Sequence, residues 1–159
     1  MLRFRLHAVA AALAAALLPA PGAGSPGEAE EARPSGPLLT LTLMLEGQDI
    51  APEAWRAMTE GRTVWYRMDD EIWGRELYWP GGNRVTFQFA DGRCLDAEWT
   101  FADRWYCFDF GGALGHEAAH CFRHLRHDGS LWALSAGGTP QAVDRIDETP
   151  LSCGPDVAS

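Results

Sequence analysis

The sequence predicts a mainly all-β domain, an antiparallel β-meander forming a curled sheet or small barrel with one short N-terminal helix. Three observations carry this. From Gly61 onward the chain is cut into short aromatic and β-branched runs: RTVWYRM, IWGRELYW, RVTFQF, RCLDAEWTF and RWYCFDF. Turn residues separate the runs about every ten residues, at Asp69-Asp70, Pro80-Gly81-Gly82-Asn83, Asp91-Gly92 and Ala102-Asp103, the rhythm of an up-and-down meander. Four cysteines in 159 residues suit a chain with room for one modest core and a need for staples.

The elements follow in order. Arg3, Arg5 and His7 precede an apolar run from Ala8 to Leu18, and the small-residue stretch PAPGAGSPG comes after it. This is the layout of a secretory signal over residues 1–24, cut after Gly22 or Gly24. Its eleven apolar residues fall well short of the roughly 20 that span a bilayer, and no later segment comes closer. No membrane span is therefore expected, and no cysteine near the cut offers a lipid anchor. Residues 25–37 are rich in Pro, Gly, Ser, Glu and Ala, cannot offset their ordering entropy and read as a disordered leader. The domain is expected over 38–153, with 154–159 as a tail.

Leu39, Leu41, Leu43 and Leu45 alternate with Thr40, Thr42 and Met44, which predicts a strand with one buried face. Then Pro52 at a first helical position, Glu53 beside it and Gly61 beyond the end predict a short helix that buries Trp55 and Met58. In the runs that follow, Val85, Phe87 and Phe89 alternate with Thr86 and Gln88, one face for the core and one for water. After Cys121, CFRHLRH and SLWALSA flank Asp128-Gly129 as a hairpin. The segment QAVDRIDETPLSC then returns Cys153 to the body. The sixteen aromatics left after signal removal are explained as sheet packing, against the alternative of a stacking site for a ligand.

Charge excludes some partners. All thirteen basic residues are arginine, against 22 acidic ones, a net charge of −9. Loss of Arg3 and Arg5 with the signal leaves 11 basic residues against the same 22 acidic ones, a net charge near −11. The arginines form no cluster, so nucleic acid and anionic membrane surfaces are not expected partners.

Four cysteines in an exported chain predict two disulfides. If Ala102-Asp103 is the turn between flanking strands, Cys107 faces Glu98 and lies four residues, roughly 13 Å, from Cys94 along the sheet. That is too far to bridge. Cys107 and Cys121 come opposite one another if the chain folds back near Leu114, which favours Cys107–Cys121 with Cys94–Cys153.

Gly61-Arg62-Thr63, Gly74 with Glu76 and Tyr78, Asp91-Gly92-x-Cys94, Trp99, Cys107-Phe108 and Cys121 with an aromatic after it resemble a pattern in small secreted alphaproteobacterial proteins of unknown function. The resemblance covers about residues 51–136. It implies a β-rich exported domain stapled by disulfides and transfers no catalytic residue. The chain departs from the pattern by lengthening the connection between Cys107 and Cys121, where its histidines cluster.

There His116-Glu117-Ala118-Ala119-His120 forms the His-Glu-x-x-His pattern that on a helix binds zinc through two imidazoles, with the glutamate activating a metal-bound water. At about 100° per residue, His116, His120, His124 and His127 fall within an arc of about 80°. Three features oppose this. Arg126 stands where a third ligand would, and Arg123 replaces the usual glycine. The preceding GGALG is a poor helix start. A Cys107–Cys121 bond would make the chain extended from His120 onward. The runs Asp69-Asp70-Glu71 and Asp144, Asp147 and Glu148 read as solvated surface charge, and no serine has a G-x-S-x-G setting.

The sequence thus predicts a periplasmic or secreted, non-catalytic binding or envelope-associated module that uses no cofactor and takes an unidentified protein or small molecule. The alternative is a zinc hydrolase with Glu117 as base and His116, His120 and, in a wider set, His124 as ligands.

Overall fold

The structure, a computed structural model, describes residues 36–114 and 119–153. The stretches read as signal peptide, most of the leader and the tail lie outside the described residues, as do His116 and Glu117. Eight strands form an antiparallel barrel in which each pairs with the next in sequence: β2 (Thr63–Met68), β3 (Glu71–Tyr78), β4 (Arg84–Phe89), β5 (Cys94–Ala102), β6 (Trp105–Asp109), β7 (His120–His127), β8 (Ser130–Ser135) and β9 (Pro140–Asp147). The last strand pairs back onto the first, from Thr63↔Asp147 to Arg67↔Ala142, and the sheet closes. Closure is what removes the free edges a curled sheet would leave.

Two further pieces complete the wall and one end. The two-residue β1 (Gln48–Asp49) lies on the edge of β7 that β6 is too short to reach, opposite Leu125 and Arg126. Arg123 fixes it with paired hydrogen bonds of 2.7 and 3.0 Å to the Asp49 carboxylate. Helix α2 (Pro52–Thr59) then caps one end of the barrel, with Trp55 buried between Tyr78, Tyr106 and His124. Pro52 and Glu53 open it as their chemistry predicts, and Trp55 and Thr59, one turn apart, are its buried positions, with Met58 half-buried beside them.

Three two-residue hairpin turns carry both central residues at positive φ, the backbone that matches strand twist: Asp69-Asp70 (47° and 65°), Asp103-Arg104 (48° and 72°) and Asp128-Gly129 (46° and 72°). The middle one corrects the expected Ala102-Asp103. Shifting the turn by one residue leaves the inward faces of β5 and β6 unchanged, so hydrophobic patterning could not choose between registers. The demand for left-handed backbone did, since aspartate tolerates it better than alanine. Cys107 consequently faces Thr100, not Glu98. That places it six residues along the sheet from Cys94, about 20 Å at strand rise, and the disulfides are Cys94–Cys153 and Cys107–Cys121.

The expected strand over Leu39–Leu45 is a helix. Helix α1 (Gly36–Glu46) begins inside the presumed leader and lies on the outside of the barrel over β7 and β8. Leu43, fully buried, packs with Leu39 against Leu125, Leu134 and Trp132, while Leu38, Leu41, Met44 and Leu45 face outward. With the barrel closed by β9, and the stretch of β7 beyond β6 taken by β1, the described strands leave no long edge for this segment. The alternating leucines instead use Leu39 and Leu43, four apart on one helix face, and burying Leu43 alone contributes about 2–3 kcal/mol. Gly47 ends the helix at a close approach, where a Cβ would sit 2.4 Å from Leu43 O.

The outer face of β4 also departs from expectation. Thr86 and Gln88 are buried, the first between Trp79 and Asp96, the second between Arg75 and Ser152 of the segment that leads to Cys153. Outward arginines stack on outward aromatics, with Arg145 3.7 Å and Arg75 4.8 Å from the Trp65 ring. Among the described residues no helix is long and apolar enough to cross a membrane.

Candidate functional site at the open end of the barrel

Among the described residues, nothing fills the barrel interior opposite α2. The strands leave an open-mouthed cavity of about 80 Å³ whose wall is aromatic: Trp73, Phe87, Phe89, Phe108, Phe110 and Phe122. Alternation along the strands aims these rings inward from β3, β4, β6 and β7. Trp73 joins them through a β-bulge. Between the pairs Tyr66↔Gly74 and Arg67↔Ile72, β3 has one residue too many, and that residue is Trp73. Gly74 beside it has no side chain because the Phe87 ring lies across it; a Cβ there would meet Phe87 Cζ at 2.2 Å.

Polar groups face into this apolar wall from three strands. Glu76 on β3, Gln141 on β9 and His124 on β7 are 3 %, 7 % and 1 % exposed, and Tyr66 Oη donates to Glu76 Oε2 at 3.0 Å. Burial raises the Glu76 carboxyl pKa from 4.5 to about 7, against the pull of the Tyr78 and Tyr66 phenols that face it. Burial lowers His124 from 6.5 to about 3, so its imidazole is neutral at neutral pH. The Tyr66 phenol is pushed well above its ordinary pKa, first by burial and then by Glu76. Trp73 Nε1, His120 Nε2 and His124 Nδ1 are buried cavity-lining atoms without a hydrogen-bond partner among the described residues. Each such group costs about 1–3 kcal/mol when left unpaired, a cost that a polar ligand group in the cavity would offset.

The histidines singled out in the sequence are distributed along β7. His120 is the first residue of that strand, paired with Phe108, and its ring meets the edge of Phe110 at the mouth. His124 lies deeper, stacked on Trp55 with ring centroids 3.9 Å apart. Four residues of strand separate them by about 13 Å, with Phe122 between, so they do not share an ion as two imidazoles one helical turn apart would. His127 is at the far end of the strand beside Asp128. His116 and Glu117 belong to the connection between β6 and β7, outside the described residues. Among the described residues no three His, Cys, Asp or Glu side chains gather closely enough to hold a metal ion.

The acidic runs are on the outside: Asp69 and Asp70 in an exposed turn, Asp144 and Asp147 paired with Arg67 and Arg145. Glu76, Tyr66 and Gln141 were not legible as a group, since they come from β2, β3 and β9 and only closure of the barrel joins them. One signal was present. In IWGRELYW the residues on the inward face are Gly74, Glu76 and Tyr78, so an acid holds a core position beside a glycine. Comparison with protein-family models, curated proteins and solved structures finds no match to this chain.

Proposed function

We propose that the protein is an exported, non-catalytic binding module that takes a small, mostly apolar ligand into the open end of its barrel. The observation that carries this is the cavity itself. Six aromatic rings and three buried polar side chains converge on space that eight-stranded barrels otherwise fill with side chains or use to hold one small ligand. Export to the periplasm or beyond agrees with the N-terminal layout and with two disulfides, which persist in oxidising compartments. The zinc-hydrolase reading draws no support from β7, because His120 and His124 lie on a strand and not along a helix.

The test is titration of the mature, oxidised protein with the neutral fluorescent amine N-phenyl-1-naphthylamine. Saturable binding at one site per chain is expected. Ala133 lies buried in the cavity wall, so Ala133→Phe should fill the space and abolish that binding without unfolding the barrel. Probe binding that is equal in both proteins would remove the cavity as the site.

A further inference from the structure

We infer that the cavity selects a small organic cation, an amine or ammonium group on an aromatic or short apolar body, with its nitrogen against the Glu76 carboxylate. This rests on the cavity being a binding site, as proposed above.

Glu76 is a buried carboxyl with no cationic partner among the described residues. The Tyr66 phenol on β2 donates to it and the Tyr78 phenol of its own β3 stands beside it, while His124 on β7 and Gln141 on β9 line the same cavity. None supplies positive charge: the phenols stay protonated and the imidazole is neutral. The arginines of the neighbouring strands are engaged on the outer wall, Arg67 with Asp144, Arg75 over Trp65, Arg123 with Asp49 and Arg145 with Asp144 and Asp147. A carboxylate in such a place either takes up a proton or gains a cation from outside.

The rest of the cavity favours the cation. Gln141 in the same wall offers an amide oxygen as acceptor, and the faces of Tyr66, Trp73 and Phe87 carry the negative side of the aromatic quadrupole, which attracts a desolvated ammonium. An anionic ligand would bring a second negative charge to Glu76, and among the described residues no arginine lines the wall to neutralise it. A neutral ligand would use the rings and leave the acid unpaired. The net charge of −9 draws cations to the molecule and repels anions.

Three compounds with the same ring separate the possibilities: phenethylamine, 2-phenylethanol and phenylacetate, each titrated into the mature protein by calorimetry at about pH 8. Phenethylamine should bind roughly tenfold or more tightly than the alcohol, as a charge-assisted hydrogen bond warrants, and phenylacetate most weakly. Phenethylamine affinity should rise with pH through about 7, where Glu76 ionises, while the alcohol's stays level. Glu76→Gln keeps an acceptor for Tyr66 and should erase the preference for the amine while retaining N-phenyl-1-naphthylamine. Probe binding with no preference among the three compounds, or a preference that survives Glu76→Gln, would overturn this inference and leave the binding module standing. Absence of binding by the probe and by all three compounds would overturn both. Should the variant fail to fold, the wild-type order of affinities and its pH dependence decide alone.

Discussion

Replacing Glu76 by glutamine should change how stability depends on pH more than stability at any one pH. The carboxyl's pKa rises from 4.5 to about 7 on folding because burial removes the water that would solvate its charge. Between those values the folded chain keeps a proton that the unfolded chain has released. The contribution is therefore fully present below 4.5, falls as pH rises through the window and is gone above about 7. At about 1.4 kcal/mol per pH unit the total is about 3 kcal/mol. His124 acts in the opposite sense. Its pKa falls from 6.5 to about 3, so between these the unfolded chain holds the extra proton and stability rises with pH. Over roughly pH 4.5 to 6.5 the two slopes, one proton each, nearly cancel in the wild type. Urea unfolding of wild type and Glu76→Gln at several pH values isolates the first term, since every other titration is common to both proteins. The stability of the variant relative to wild type should increase by about 3 kcal/mol from about pH 4 to about pH 8. A difference that does not vary with pH would refute an ionisable carboxyl held inside the barrel.

Other outcomes follow from the packing. Leu43→Ala should cost about 2–5 kcal/mol and Leu41→Glu less than about 0.5 kcal/mol in urea unfolding; a strand with one buried face would make both costly. Gly74→Ala should cost about 1–3 kcal/mol and weaken probe binding, because Phe87 must swing into the cavity. Removing Cys94–Cys153, which closes a separation of 59 residues, should cost about 4 kcal/mol, and removing Cys107–Cys121, with 14, about 3 kcal/mol. Paired serine substitutions followed by chemical unfolding give the comparison.

Much of the barrel could be read before its structure, and the reasons for the misses are physical. Turn residues such as Asp69-Asp70 and Asp128-Gly129 announce themselves because few residues accept left-handed backbone, and Val85, Phe87 and Phe89 declare a face by alternation. Leu39–Leu45 misled because alternation can arise in any leucine-rich stretch, and only the closed sheet, a non-local fact, denies that stretch an edge. The register at Asp103-Arg104 slipped because both turns satisfy the same inward pattern. The pairing of Cys107 with Cys121 was legible from chain reversal near Leu114. The cavity was not. The sixteen aromatics that follow residue 24 read as packing, and most are, but whether rings meet or leave space depends on barrel radius, on the bulge at Trp73 and on the missing side chain at Gly74.

The exposed leucines of α1 offer apolar molecules a second place to bind, so the position of a bound ligand discriminates most directly. A crystal of the mature protein soaked in 2-(4-bromophenyl)ethylamine should show its bromine anomalous peak among Phe87, Phe108 and Phe122, with the nitrogen at Glu76. A peak confined to Leu38, Leu41 and Leu45 on the outside of the barrel, with the cavity unchanged, would contradict the assignment of the open end as the binding site.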